Sequence, residues 1–406
     1  MIARAEQAGA NVDRLFAARN LAIAGIAVSA IGFWIVLPPL TQRSLVWPVA
    51  LGILGTLFGI AAVSRGVKRL GWWAVVLGIA SIGLGIAATN SSVGHLDSVV
   101  VWSALFASML RYATPLTFAA IGGMFSERSG VVNIALEGMM LAGAFFGILA
   151  AQKSGSWAFG LVAAMGAGAA LALIHAFFSI HLRADQIVSG TAINFLALGV
   201  TGYFFVDVYG ELGTPSEIPR IPDVHLPLDK IPTGIGTFLD DVFGQMNLMI
   251  WLSFLLLIVS YVVMFKTPVG LRIRAVGEHP RAADTVGINV YLVRYASVTV
   301  SGILAALGGA YLSIGFLGSF NENMTAGRGF IALAALIFGA WRPFGAFSAA
   351  LLFGFSSALA QRLPEYSGSA ATLFQALPYV LTLIAVAGVI GRSIPPAAVG
   401  RPYRKQ

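Results

Sequence analysis

Long apolar runs, broken by short clusters of charged residues, proline or glycine, set the pattern of this chain. Segments 21–40, 46–63, 71–89, 157–180, 247–265 and 372–391 are almost free of charge. Segments 99–123, 133–151, 187–208, 291–315, 330–341 and 344–360 follow the same pattern with a few polar interruptions. A helix of about 20 residues rises about 30 Å, the thickness of the hydrocarbon core of a bilayer. The runs therefore predict an all-α fold, a polytopic transmembrane helical bundle of roughly 10–12 spans. Segment 330–341 is short for a full crossing, and 133–151 carries Glu137. Because the runs are apolar on all sides, the alternation required of a transmembrane β-barrel is missing, and that class is excluded.

Composition agrees with lipid as the solvent. Of 406 residues, 58% are hydrophobic and 10% charged, with a mean hydropathy of +0.85; soluble domains carry roughly 25% charged residues. The 47 glycines suit helices that approach closely in lipid. Small-xxx-small spacing occurs at Gly55 and Gly59, at Ala164, Gly168 and Ala172, and at Gly302 and Ala306.

The net charge of +8 raises nucleic acid as a partner, but its distribution argues against one. Alternating the runs across a membrane puts Arg4, Arg14, Arg19, Arg65, Lys68, Arg69, Arg128, Arg183, Lys266, Arg272, Arg274, Arg281, Arg342 and the basic C-terminus on one side. Arg43, Lys153, Arg220, Lys230, Arg328 and Arg362 fall opposite. By the positive-inside rule the basic side is cytoplasmic, which predicts a multi-pass membrane protein with both termini inside. Segment 21–40 reads as a retained span, not a cleaved signal. The absence of cysteine excludes disulfides, thiol catalysis and cysteine metal sites.

Polar interruptions begin near residue 99. The expected organisation is an N-terminal three-helix extension over 1–97 and a transport core over 98–406, with the boundary in 90–97. The core contains an outer loop, 209–245, with Pro215, Pro219, Pro222, Pro227 and Pro232 and an acidic bias. Proline at that density favours turns and extended chain, in either a solvated connector or an external lid or docking surface. A second loop, 266–289, carries a helix start at Pro280 and a stop at Gly287, predicting a short amphipathic helix on the cytoplasmic side. The strings AAIGG at 119–123 and AALGG at 305–309, on helices predicted to run in opposite directions, hint at an inverted repeat.

Catalytic chemistry is sparse. The sequence has no GxxxxGK[ST] phosphate loop, no HExxH or other metal-ligand cluster, and no GxSxG elbow, so neither an enzyme, a metal site nor a resident cofactor is expected. The polar interest lies in 114–147, where Thr114-Pro115 and Gly122-Gly123 are followed by Glu127, Arg128, Ser129, Asn133 and Glu137. Ionisable groups within a membrane are expensive and mark function by default. Asn133 and Glu137 also suit the cap and the positive end of a helix. In 187–208, Thr191 and Asn194 could hydrogen-bond a polar solute and Phe195 could stack on it, although the same types serve helix–helix contacts. The candidate pathway residues are therefore Asn133, Glu137, Thr191, Asn194 and Phe195. Arg111 and Arg294 either snorkel to an interface or pair with a carboxylate.

Two stretches carry a family resemblance: ERSGVVNIALEGMMLAGAFFG at 127–147 and GLRIRAVGEHPRAADTVGINV at 270–290. In this order they resemble the ABC importer permeases for ribose, simple sugars and nucleosides, a superfamily shared with branched-chain amino-acid permeases. The resemblance covers roughly residues 99–391 and implies a place in the bacterial cytoplasmic (inner) membrane. It implies a second permease subunit, identical or similar, two ATP-binding subunits that use ATP and Mg, and an extracytoplasmic substrate-binding lipoprotein or protein. It also implies that the loop containing Glu278, Pro280, Arg281, Ala282, Ala283, Asp284 and Gly287 docks on the ATPase. A branched-chain amino-acid permease is the alternative within the superfamily. An ion-coupled secondary transporter is the alternative outside it, although Glu137 is nearly its only candidate coupling carboxylate.

Overall fold

The computed structural model describes residues 2–36, 45–89, 101–215, 217–231, 234–366, 379 and 394–405. It divides into two compact units, Met1–Trp102 with Leu359–Leu377 and Ser103–Ala358 with Pro378–Gln406. The segment 90–97, expected to hold the domain boundary, and all of 372–391 but Tyr379, expected to hold a span, lie outside the described residues.

In the first unit α1 (Ile2–Ile35), α2 (Val46–Ser64) and α3 (Lys68–Thr89) pack through small residues. A Cβ at Gly52 would lie 2.6 Å from the Gly78 carbonyl oxygen, and one at Gly59 would lie 2.6 Å from that of Gly71, so α2 and α3 run antiparallel in close contact. Two hydroxyls tie the trio together: Ser29 donates to the Ala74 carbonyl at 3.2 Å and Ser81 to that of Pro48 at 2.9 Å.

The second unit begins with α4 (Trp102–Arg128), α5 (Leu136–Ser154), α6 (Trp157–Ala176, continued in π-form to His181) and α7 (Gln186–Tyr209). After the outer loop come α9 (Leu248–Lys266), α10 (Pro268–Glu278), the one-turn α11 (Pro280–Thr285) and α12 (Val290–Ala310, continued in π-form over Tyr311–Leu317). The half-length α13 (Arg328–Phe338) and α14 (Pro343–Tyr366) follow. Among the described residues, nine helices are long and apolar enough to cross a membrane, and the chain is a multi-pass membrane protein. At 1.5 Å per residue α13 covers only about half of the hydrocarbon core.

The outer loop is not loose. It folds through the short α8 (Gly234–Leu239) and a two-stranded antiparallel ribbon, β1 (Asp223–His225) with β2 (Gln245–Asn247), in which Val224 faces Met246. The Ile221 N–H donates to the Ile314 carbonyl at 3.1 Å, which straps the loop to the end of α12.

Small residues make α12 the hub of this unit. Gly302 packs against Gly168 and Ala172 of α6, Gly308 against the Pro115 carbonyl of α4, and Gly309 against the Met140 carbonyl of α5. Two of the small-residue strings in the sequence, on α6 and α12, are therefore each other's partners. The helices that carry the AAIGG and AALGG strings pack on each other, since Gly122 lies on Ser301 and Gly308 on Pro115, which makes α4 and α12 antiparallel. A Cβ at Gly168 would collide with the Gly302 carbonyl and Ala306. Gly168→Val is thus expected to destabilise the fold by about 1–3 kcal/mol through overpacking. A melting temperature in detergent indistinguishable from wild type would rule this out.

Candidate functional site

The chain between α4 and α5 leaves helical form after Arg128, turns at Gly130, whose φ is +93°, and runs irregularly to Ala135. This stretch goes deep. Asn133, fully buried, donates through Nδ2 to Ser301 Oγ at 2.8 Å. Ser301 sits about 16 Å along α12 from Val290, near the middle of a core about 30 Å thick. Non-helical backbone at that depth must be satisfied by protein, and the neighbouring helices supply the partners. The Val132 N–H donates to Gln186 Oε1 at 2.7 Å. The Val132 carbonyl accepts from His175 Nε2 at 2.9 Å, which leaves His175 Nδ1 to accept from the Ser189 hydroxyl at 3.1 Å. Asn194 Nδ2 donates to the Ile134 carbonyl at 3.0 Å, while its Oδ1 accepts from the Gly138 N–H at 2.8 Å.

Glu137, 8% exposed, completes the cluster. Its two carboxylate oxygens accept from the N–H groups of Gly327 at 2.8 Å and Gly329 at 2.6 Å, at the N-terminus of α13. The four N–H groups that begin a helix have no partner within it, and the helix dipole favours negative charge there. Glu137 therefore anchors the half-length helix across the bundle. Gly329 permits the approach, because a Cβ there would lie 2.5 Å from Glu137 Cα.

At the neighbouring end of the core, Glu127 Oε2 accepts from Trp341 Nε1 at 2.6 Å, and Arg128 Nε donates to the Trp341 carbonyl at 3.0 Å. Both hold the turn from α13 to α14, where Ala340 and Trp341 have positive φ. The Arg128 carbonyl packs on Gly277, the penultimate residue of α10. Arg294 is buried and donates to the carbonyls of Ser129 and Arg401, both at 3.2 Å. Its partners are thus carbonyls, neither the carboxylate nor the membrane interface that the sequence suggested.

The α10–α11 loop is fastened from the other side by the C-terminal tail. The Ala398 N–H donates to the Gly277 carbonyl at 2.9 Å, and the Ala397 N–H to Glu278 Oε2 at 3.2 Å. Ala283 is 3% exposed and packs with Val276, Val290 and Tyr403. Burial there, together with its bond to the Asp284 carboxylate, pushes the Tyr403 hydroxyl up to about 12, so it stays a neutral donor at physiological pH. Arg281, Ala282, Thr285, Val286 and Gly287 remain exposed, with Glu278 at the start of the turn. A cavity of about 540 Å³ opens between Pro280 and Arg281 of α11 and Arg401 and Arg404 of the tail.

Residues 105–386 match the family model described as branched-chain amino acid transport system / permease component. The chain belongs to this family. Among similar proteins, this permease is 45% identical to the guanosine ABC transporter permease protein NupQ of Bacillus subtilis over 320 residues, covering 76% of this chain and 99% of that one. It is 42% identical to the nucleoside ABC transporter permease protein NupC of Lactococcus lactis over 311 residues, 74% of this chain and 96% of that one. The putative glucose ABC transporter permease protein TsgC13 of Haloferax volcanii is 34% identical over 271 residues, 65% of this chain and 79% of that one. No solved structure matches the chain.

Of the pathway candidates in the permease, Asn133, Glu137 and Asn194 come together in the buried cluster. Thr191 and Phe195 do not join it. They lie on the exposed face of α7, with Phe195 70% exposed and the Thr191 hydroxyl bonded to the Ile187 carbonyl of its own helix. Sequence reasoning missed His175, Gln186 and Ser301 as members. The available signal was a histidine inside an otherwise apolar run, for which lipid offers no partner.

Proposed function

We propose that this permease is the membrane-spanning subunit of an ATP-driven nucleoside importer. The observation that carries the proposal is its similarity, over nearly their whole lengths, to two nucleoside permeases. ATP binding and hydrolysis fall to separate subunits, consistent with the lack of a phosphate loop. A second permease chain and an external binding protein complete the assembly. The basic end with Arg128, Arg272, Arg274 and Arg281 is cytoplasmic, as are both termini. There α11 offers its exposed side, from Arg281 to Gly287, to the ATPase.

The mechanism follows from how the core is tied. Glu127 and Arg128 hold the α13–α14 turn, Glu137 holds the start of α13, and Arg128 and Arg294 tie the same turn of α4 to α10, α12 and the tail. Motion of α11 imposed by the ATPase therefore passes through residues 127–130 into the half-length helix and the buried loop. Polar and charged groups held at fixed positions make this a rigid lever.

The test is reconstitution with the ATPase and binding protein in liposomes, followed by uptake of radiolabelled guanosine. ATP-dependent accumulation, competed by nucleosides and not by leucine, is expected. Accumulation driven by an ion gradient without ATP, or competed by leucine, would overturn the proposal. Competition by glucose alone would favour the sugar reading suggested by the 34% relative.

A further inference from the structure

At the opposite end of α12 from α11, a cavity of about 290 Å³ is formed by α4, the outer loop, β2 and the π-wound turns after Ala310. Its wall is aromatic. Tyr311, almost fully buried, stacks on Phe316 with ring centroids 6.1 Å apart and planes at 21°, and Phe316 meets the edge of Tyr112 at 5.6 Å. Its floor is Asn247, whose buried amide donates to the Ile221 carbonyl at 2.9 Å and to Asp223 Oδ1 and the Gly315 carbonyl at 3.3 Å. Loop, strand and helix are thereby locked around one space. The rim carries Arg111, Arg220, Asp223 and Gln245, all exposed.

Arg111 is the informative residue. It belongs to an apolar membrane-crossing helix, yet among the described residues neither it nor Arg220 has a hydrogen-bond or ion-pair partner. An arginine within a membrane segment faces protein or water, pairs, or marks a solute path. Here the guanidinium faces the cavity. The π-helical winding of Tyr311–Leu317 is itself a form that recurs at functional sites. A volume near the lower limit of ligand pockets, about 300 Å³, suits one small ring system and not a peptide.

We propose that this cavity is an outer binding subsite for a purine nucleoside with a guanine-type base. The assignment rests on the nucleoside-importer reading and adds a location and a preferred base to it. A guanidinium donates to the O6 and N7 acceptors of guanine. The Asp223 carboxylate accepts from the base's ring and exocyclic N–H groups, and Phe316 offers a face for stacking. Inorganic phosphate fits less well, since Asp223 repels it and the aromatic wall gives it nothing.

The experiment uses the complete permease–ATPase complex in nanodiscs without the binding protein, and measures equilibrium binding of tritiated guanosine. Arg111→Gln should weaken guanosine about ten-fold or more, the scale of one lost bidentate base contact. Asp223→Asn should weaken guanosine more than inosine, which lacks the exocyclic amine. An asparagine at 223 keeps the oxygen that accepts from Asn247, so its melting temperature should equal that of wild type. Wild-type affinity in both variants, an unchanged guanosine-to-inosine ratio in Asp223→Asn, no guanosine binding to wild type, or phosphate competing below guanosine concentrations would each overturn the subsite. Uptake decides the other question separately. An importer that accumulates leucine or glucose and no nucleoside fails the functional reading, whereas one that accumulates nucleosides with unaltered variants fails only this site.

Discussion

Glu137→Ala is expected to abolish transport and to lower the melting temperature of the permease. Both carboxylate oxygens accept N–H groups that start α13, and the site is almost closed to solvent. Truncation strands the buried Gly329 donor at about 1–3 kcal/mol, frees the part-buried Gly327 donor, and removes a negative charge from a helix N-terminus, worth up to about 2 kcal/mol when partly buried. Glu137→Gln is not a mild variant here. Its single carbonyl oxygen satisfies one donor, and its NH2 group faces the other. Uptake and melting temperature should therefore fall in Gln as well, by less than in Ala. Normal values in both would show that α13 keeps its position without this carboxylate. Normal transport in Gln with reduced stability in Ala would confine Glu137 to a structural role.

Val286→Asp is expected to stop the ATPase from co-purifying and to abolish substrate-stimulated ATP hydrolysis, with no change in permease stability. Val286 is 75% exposed at the tip of the α11 turn, an apolar side chain that the described residues leave uncovered. Burying a valine against a partner contributes about 1.5–3 kcal/mol. Losing that, and desolvating a carboxylate in addition, raises a dissociation constant at least about ten-fold. Ala283→Trp tests the other side of the same turn. Ala283 packs inward on Val276, Val290 and Tyr403, so a tryptophan there should displace the tail and depress the melting temperature. Assembly and stimulation unaffected by Val286→Asp would show that the coupling surface lies elsewhere.

The membrane spans could be read along the chain because lipid imposes a local rule, a run of apolar residues as long as the bilayer is thick. The shortness of α13 and the anomaly of Asn133 and Glu137 followed from the same rule, while the start of α11 at Pro280 followed from helix punctuation, the helix ending at Thr285, two residues before the positive-φ Gly287. Partners obey no such rule. Asn194 on an apolar helix is equally suited to line a path or to bridge backbone groups; only the approach of α7 to residues 134–138 gives it the Ile134 carbonyl and the Gly138 N–H. Ala282 and Ala283 are alike in the sequence, and the packing of the tail buries one and leaves the other exposed. The cavity around Arg111 draws on segments near residues 111, 220, 245 and 311, and although Arg111 and the outer loop each stood out in the sequence, nothing there put them beside one another. Periodicity and run length report which solvent a segment meets. Which polar groups end within 3 Å of one another depends on how closely glycine-faced helices such as α6 and α12 pack, and that distance is set between segments far apart in the chain.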